Sequence, residues 1–194
     1  SRSLFLKSPI ASQDIDGNPI YLRVTVEVDE GGDDYLVGGV AVKHQLTDKV
    51  AIVTGASRGL GAQIAEQMAA AGARVCVNYL SSKGAADQVV ADIIAAGGQA
   101  FAYQADVSDL AQMQALAAEV VARYGRIDIL VNNALPSYQF NPSADYTSIE
   151  TVKWAHFSQQ LDGIVKGAVN SVQAVLPQMK TQKMGKIINI STNL

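Results

Sequence analysis

The sequence predicts an α/β domain built on a doubly wound parallel sheet, and three observations carry that prediction. From Asp48 onward, short continuous apolar runs alternate with longer segments whose apolar residues recur every three or four positions. Glycines close most of the longer segments. A glycine-rich turn lies where the first apolar run hands over to the first helical pattern. Apolar strands separated by amphipathic helices need cover on both faces, and right-handed crossovers between such strands give a doubly wound sheet.

The elements follow in order. Lys49 to Thr54, with Val50, Ile52 and Val53, is short enough for a buried strand. After the glycine turn, Leu60, Ile64, Ala65 and Met68 recur at helical spacing and Gly72 stops the helix. Arg74 to Asn78 is the second strand; a helix through Ala86, Val90, Ile93 and Ile94 ends at Gly97-Gly98; Ala100 to Tyr103 is the third strand. Ser108 is the expected cap of the next helix, whose stripe is Leu110, Met113, Leu116, Val120 and Tyr124 and whose stop is Gly125. Ile127 to Val131 is the fourth strand. A loop with Pro136 and Pro142 leads into a long helical region reaching about Lys183, with Pro177 expected to disturb its last part. Lys186 to Ile190 is the fifth strand.

Residues 1–47 read as a separate leader. Tyr21, Arg23, Thr25 and Glu27 alternate with Leu22, Val24, Val26 and Val28, the period of a half-buried strand. Ile20 to Val28 and Tyr35 to Val42 flank the acidic Gly-Gly stretch Asp29 to Asp34, which predicts a β-hairpin. Asp14-Ile15-Asp16-Gly17 reads as a turn, because the remaining ligand spacing of a calcium loop is absent. No chemistry is readable in this leader.

Composition bounds the rest. The chain has 194 residues, 48% hydrophobic and 17% charged, enough for a core and unlike a disordered chain. A formal charge of −3 is the wrong sign for a protein that lives on phosphate backbones, so no nucleic-acid partner is expected. One cysteine, Cys76, and two histidines, His44 and His156, give neither an internal disulfide nor a structural zinc site, so no metal is expected and a reducing compartment is. Cys76 reads as a small core residue, and Trp154 as packing or a loop anchor. No apolar run reaches the ~18 residues of a membrane span, and no secretory signal pattern opens the chain. A cytoplasmic protein is therefore expected, without a membrane partner.

The chemistry begins at Thr54-Gly55-Ala56-Ser57-Arg58-Gly59-Leu60-Gly61. At a strand-to-helix junction, glycines let backbone approach a diphosphate, and the free N–H groups and positive end of the helix stabilise its charge. The alternative is a tight turn with packing glycines; strand, turn and helix in register favour the nucleotide. The spacing differs from the Gly-x-Gly-x-x-Gly dinucleotide fingerprint and resembles the Thr-Gly-x-x-x-Gly-x-Gly form of the short-chain dehydrogenases/reductases.

That resemblance runs from Asp48 to Leu194. Ala105-Asp106-Val107 is similar to the family's adenine-contacting element. Asp128-Ile129-Leu130-Val131-Asn132-Asn133-Ala134 is similar to its Asn-Asn-Ala-Gly element, with Leu135 where glycine is usual. Gln173 to Met179 and Gly185 to Ser191 resemble the helix and strand that precede the active site. Within the family the chain is most similar to the 3-oxoacyl-acyl-carrier-protein reductase type. The resemblance implies a Rossmann-type domain over residues 48–194, holding strands one to five. It also implies hydride transfer between a nicotinamide cofactor and a ketone or 3-oxoacyl substrate.

The implied cofactor contacts are Gly55, Ser57, Arg58, Gly59, Leu60 and Gly61 in the turn, Asn78, Tyr79, Ser81 and Ser82 after the second strand, Asp106 and Val107 after the third, and Asn132, Asn133 and Ala134 after the fourth. An acidic residue roughly 20 positions beyond the glycines would hold the ribose 2′-hydroxyl of NAD and repel a 2′-phosphate. The corresponding stretch, Asn78 to Lys83, has no carboxylate. Arg58 and Lys83 can offset phosphate charge, and Ser81 and Ser82 can donate to it, so NADP is expected over NAD. Either basic residue alone is more often a solvated surface charge.

The catalytic part of the resemblance is incomplete. The family's tyrosine protonates the substrate oxygen and its lysine lowers the tyrosine pKa, as a Tyr-x-x-x-Lys motif placed shortly after the fifth strand. No such motif follows Ile190 in the 194 residues, so the chain is expected to be a catalytically incomplete part of a longer reductase. Thr192 falls at the position of the family's catalytic serine, and Ile164 at that of its helix asparagine. Tyr79-Leu80-Ser81-Ser82-Lys83 fits the motif literally but lies at the adenosine side of the site. Tyr138 reads as a lid or substrate contact. The family assembles through the long helices flanking its active site and its last strand; the first of those helices is present here and the later helix and strand are not, so its oligomer is expected to be disrupted. The rival readings are a nucleotide-binding module without catalysis and a nonfunctional fragment.

Overall fold

The computed structural model describes residues 46–135 and 161–190, Trp154 and Ser158, and the short strands at residues 3–5, 9–13, 19–21 and 25–27. Contacts divide the chain into two units, Ser1–Ala41 and Val42–Leu194.

The first unit contains β1 (Ser3–Phe5), β2 (Pro9–Gln13), β3 (Pro19–Tyr21) and β4 (Thr25–Glu27). β1 pairs antiparallel with β4, setting Leu4 opposite Val26, and β2 pairs antiparallel with β3, setting Pro9 opposite Tyr21. The stretch read as one strand, Ile20 to Val28, therefore contributes to two separate ribbons, whose partners are β1 and β2. A period of two identifies a strand and its faces but does not choose its partner. Proline donates no ladder hydrogen bond, and Pro9 and Pro19 occupy the starts of β2 and β3, where that loss is tolerated. Tyr35 to Val42, the Asp29 to Asp34 loop and Asp14 to Gly17 lie outside the described residues.

The second unit is a five-stranded parallel sheet. Its strands are β5 (Val50–Val53), β6 (Arg74–Tyr79), β7 (Gln99–Gln104), β8 (Ile129–Asn132) and β9 (Lys186–Asn189), ordered β7-β6-β5-β8-β9. The helices are α1 (Gly59–Ala70), α2 (Lys83–Ala95), α3 (Leu110–Tyr124) and α4 (Gly167–Thr181). The chain moves outward from β5 through β6 to β7, then returns to the other side of β5 with β8 and β9. That reversal between β5 and β8 makes the topological switch point of a doubly wound sheet, the crevice where such folds bind ligands.

Two apolar clusters cover the two faces. Ala51, Val53, Val75 and Val77 face Ala65, Ala69, Val89 and Ile93 of α1 and α2. Val50, Ile52, Cys76 and Leu130 face Met113, Leu116, Val120, Val175 and Met179 of α3 and α4. Alternate residues of one strand therefore enter different cores, which explains why β5 reads as a continuous apolar run. Burial pushes the Cys76 thiol far up from its ordinary value, as desolvation of a thiolate requires. Asp128 fastens the amino ends of three strands. Its carboxylate accepts from Val50 N at 2.9 Å and from both Nε and Nη2 of Arg126, its N–H donates to Val50 O, and its carbonyl accepts from Lys186 N.

Several boundaries differ from the sequence reading. The cap of α3 is Asp109, whose Oδ1 accepts from Ala111 N and Gln112 N at 2.9 and 3.2 Å. Ser108, the expected cap, instead donates its N–H and hydroxyl to Asp106 Oδ1. The aspartate adjacent to the helix reaches its N–H groups, while the serine one position earlier turns back. Pro177 sits inside α4 without breaking it, since Val175 and Met179 on either side are held in the core. The irregularity lies at the start, where Asp162–Lys166 forms a turn of π-helix. The helix ends at Thr181, and Lys183 takes a left-handed φ of 54°. Trp154, read as packing or a loop anchor, is exposed. No helix among the described residues is long and apolar enough to cross a membrane.

Candidate functional site

Four strand ends and the glycine turn meet at the carboxyl edge of the sheet. Thr54, one residue beyond β5, is 1% exposed and ties the turn to β8. Its hydroxyl donates to Val131 O at 3.2 Å and accepts from Asn133 N and Ala134 N, both at 3.0 Å. Asn133 answers from the other side, donating Nδ2 to the carbonyls of Thr54 and Gly55 at 3.0 and 3.3 Å. A threonine serves here because one hydroxyl both donates and accepts, so a single side chain meets three backbone groups.

The glycines are required by different constraints. Gly55 has a φ of +62°, and a Cβ there would stand 2.8 Å from Ala134 Cα. A Cβ on Gly61 would stand 2.5 Å from Asn133 Nδ2 and 2.6 Å from Gly55 O, so only glycine lets α1 start this close to β8. Gly59 has a φ of +57° but faces open space. Two glycines thus serve close approach within the protein, and the third leaves bare backbone turned outward.

The start of α1 is electrostatically open. Arg58 is its N-cap in extended geometry, makes no side-chain cap and is followed by no acidic residue in the first turn. The N–H groups that begin a helix lack intrahelical acceptors, and their partial positive charge here meets no carboxylate from the same turn. Arg58 instead donates from Nη2 to Ser82 Oγ at 2.6 Å, bridging the glycine turn to the residue before α2. This places a cation and a hydroxyl together beyond the end of β6. Ser57 and Leu60 are partly exposed in the same turn, and Ser81 is exposed beside Ser82.

Other expected contacts occupy different positions. Asn78 is 1% exposed and Tyr79 6%, both within the sheet behind the turn. Asn78 Oδ1 accepts from Gly55 N at 3.2 Å, its Nδ2 donates to Ala105 O at 3.0 Å, and its carbonyl accepts from Ala56 N at 2.8 Å. Asn78 thus shapes the turn from behind, and Tyr79 packs in the α1–α2 face. Asp106 is committed to Ser108 through its carboxylate and to Gln112 Oε1 through its N–H at 2.9 Å. Val107 offers its carbonyl to Asn170 Nδ2 at 2.9 Å and packs its side chain over Gly167. Asn170 was missed by the sequence reading; its signal is an amide at a buried, core-facing position of α4.

The literal Tyr-x-x-x-Lys pair is taken apart by the fold. Tyr79 is buried in the α1–α2 face, whereas Lys83 is 71% exposed and pairs with Asp87 one turn along α2 at 2.6 Å. The hydrogen bond to Asp87 holds the Lys83 pKa above its ordinary value, so this lysine is a charge shared with α2. Thr192 and Tyr138 lie outside the described residues. No group of metal-ligating side chains occurs among the described residues.

A cavity of about 300 Å³ opens beside the clamp. Thr54, Asn132 and Asn189 give it a polar side, and Val107, Leu135, Ile164, Val165, Val169 and Ile190 an apolar one. Asn132 and Asn189 stand opposite each other on β8 and β9, with Asn132 Nδ2 donating to Asn189 Oδ1 at 2.9 Å. Asn132 Oδ1 is buried with no partner among the described residues. An orphan acceptor in a cavity wall is where an ordered water or a ligand hydroxyl fits.

Comparison with known proteins agrees with this geometry. The short chain dehydrogenase family profile matches residues 49–194. An uncharacterized oxidoreductase of Methylorubrum extorquens is 45% identical over 148 residues, covering 76% of this chain and 56% of that protein. The 3-oxoacyl-[acyl-carrier-protein] reductase FabG of Staphylococcus aureus is 42% identical over 144 residues, covering 74% of this chain and 56% of that protein. Among solved structures, a 7α-hydroxysteroid dehydrogenase complexed with NADH and 7-oxo glycochenodeoxycholic acid superposes with a TM-score of 0.67 at 33% identity, over 78% of this chain and 56% of that one. A metagenomic short-chain oxidoreductase in complex with NADP superposes with a TM-score of 0.64 at 35% identity, over 76% of this chain and 63% of that one. The chain spans little more than half the length of the curated relatives it matches.

Proposed function

The chain belongs to the short chain dehydrogenase family, and from that premise we propose that residues 48–194 hold NADP(H) for hydride transfer to a ketone or 3-oxoacyl group. The observation that carries the reading is the uncapped start of α1, set by Gly55, Gly61 and the Thr54–Asn133 clamp at the switch point of the sheet. A diphosphate oxygen fits there because it supplies the acceptors and negative charge that the first turn lacks. Gly59 leaves the backbone bare on its open side, and Asn132 Oδ1 accepts from a ribose hydroxyl or a water.

The paired Arg58 and Ser82 favour NADP over NAD. The guanidinium, which donates to Ser82 Oγ, would offer a 2′-phosphate a charge-assisted hydrogen bond, and the stretch Asn78 to Lys83 has no carboxylate to repel it. A solved relative bound to NADP supports the choice, while another bound to NADH shows that the fold alone does not decide it.

The bound nicotinamide supplies the hydride; this chain's residues orient it and bound the space around it. Thr54 and Asn133 fix the turn, Asn78 holds it from behind, and Asn132 and Asn189 join the strand ends beside the reacting face. Thr192 orients a substrate oxygen in this proposal. The described residues offer no tyrosine-lysine pair at the cavity, and we take the 194-residue chain to be a catalytically incomplete part.

Calorimetric titration of the 194-residue chain with NADPH tests the reading. Saturable binding that Gly61→Ala weakens by at least about tenfold is expected, because the new methyl displaces backbone under the diphosphate. Binding unaffected by Gly61→Ala overturns the placement. In an NADPH oxidation assay with a 3-oxoacyl thioester, no turnover above background is expected. Turnover abolished by Tyr79→Phe would reinstate Tyr79 and Lys83 as a catalytic pair.

A further inference from the structure

We propose that Leu135, Ile164, Val165 and Val169 form the wall against which the alkyl or acyl chain of the carbonyl substrate lies, and that Leu135 and Ile164 set a preference for long apolar substrates over short ones. The proposal rests on the nucleotide reading above, since it assigns the other side of the same cavity.

These four apolar side chains are 70%, 42%, 54% and 49% exposed, and all line the one cavity. Apolar surface gathered in a concave site with a polar floor is the pattern of a small-molecule pocket. The π-helical turn Asp162–Lys166 contributes directly. Consecutive residues on an α-helix stand roughly 100° apart, yet Ile164 and Val165 both line the cavity from this wider turn. Such turns recur at functional sites because they redirect side chains without ending the helix. Leu135 closes the wall from the end of β8. It stands where the Asn-Asn-Ala-Gly element carries glycine, and Ile164 stands at the asparagine position of the helix. The structure brings these two departures, distant in sequence, to the same wall.

The lining fixes the occupant's chemistry. Among the described residues the lining carries no charged side chain, which favours an apolar chain over an ionic one. A volume of about 300 Å³ admits a small molecule rather than a protein helix. The polar floor joins the Thr54 clamp, so an apolar chain on this wall lies next to the cofactor site.

The test is calorimetric titration of the full chain, saturated with NADP+, with methyl ketones from 2-butanone to 2-decanone. Affinity is expected to rise about fourfold per added methylene, the value for transfer of a CH2 out of water. Leu135→Ser and Ile164→Asn, both at exposed positions, are expected to lower the increment below about twofold. A flat series, or increments untouched by both substitutions, overturns the proposal. So does a change of oligomeric state in the variants with no change in the series, which would make the wall an interface between copies. Failure of NADP+ itself to bind is read separately and overturns the nucleotide site.

Discussion

Helices α1 and α3 each follow a strand of the same sheet, and their first turns are built in opposite ways. α3 is closed by its own sequence: Asp109 Oδ1 accepts from Ala111 and Gln112, and Oδ2 accepts from the Gln112 side chain at 2.9 Å. α1 begins at Arg58, which makes no cap and turns its guanidinium to Ser82. A helix start consumes an acceptor from somewhere. Where the chain supplies one, the turn is structural; where the glycines are shaped by contacts behind them and the chain supplies none, the turn is available to an anion. α2 also starts without a side-chain cap, so it is the missing cap together with the glycine turn that supports α1 as the binding helix in the proposed reading.

The strongest way to break this comparison is to give α1 the cap that α3 has. Arg58→Asp places a carboxylate at the N-cap, where it competes with a diphosphate for the same N–H groups and removes the cation facing the 2′-phosphate. NADPH affinity is expected to fall at least about 100-fold, while thermal stability holds or rises slightly. Unchanged affinity would mean that the α1 start does not carry the anion.

Asn78 tests the support behind the turn. Asn78→Ala removes the acceptor of Gly55 N and the donor to Ala105 O inside a buried site. Urea denaturation is expected to show a loss of about 2–4 kcal/mol, the sum of two hydrogen bonds and the groups left unpaired. A loss confined to nucleotide affinity, with stability intact, would return Asn78 to the ligand-contacting set.

Smaller effects belong to α3. Asp109→Ala is expected to lower the thermal midpoint by a few degrees and leave NADPH binding unchanged, which nucleotide titration and thermal melts read together. Its pH dependence is specific. The Gln112 backbone N–H, its side chain and the Ala111 N–H hold the Asp109 pKa below the usual carboxylate range. A depressed folded pKa gives stability that is present above the unfolded value of about 3.9 and is lost as pH falls through the folded one. The gap between wild-type and variant midpoints should be constant from neutral pH down to about 5 and close below about 4. A gap that persists below that range would assign the effect to packing rather than to the carboxylate.

Legibility followed the range of the forces involved. Helix stops at Gly72, Gly97 and Gly125 were readable because positive φ angles of 98°, 85° and 77° demand glycine locally. The five strands of the parallel sheet were readable because continuous apolar runs survive only when covered on both faces. Capping by Asp109 rather than Ser108 was ambiguous, since both residue types cap and one position decides. The pairing of the leader strands was hidden, because alternation specifies faces and not partners. In the site, the glycine turn was readable from its spacing, whereas the burial of Asn78 and Tyr79, expected as cofactor contacts, was not. The apolar wall escaped notice because Leu135 is distant in sequence from Ile164 and Val165 and meets them only through the fold and a π-helical turn.

The central claim is that the open start of α1, with Arg58 and Ser82 beside it, binds a dinucleotide carrying a 2′-phosphate. Paired titrations of wild type and Arg58→Ala with NADPH and with NADH test it most directly. The account predicts tighter NADPH than NADH binding in wild type, and an advantage that Arg58→Ala reduces by about 10- to 100-fold while NADH affinity stays nearly constant. Equal binding of the two cofactors by wild type, or a loss of affinity in Arg58→Ala that is the same for both, would contradict it.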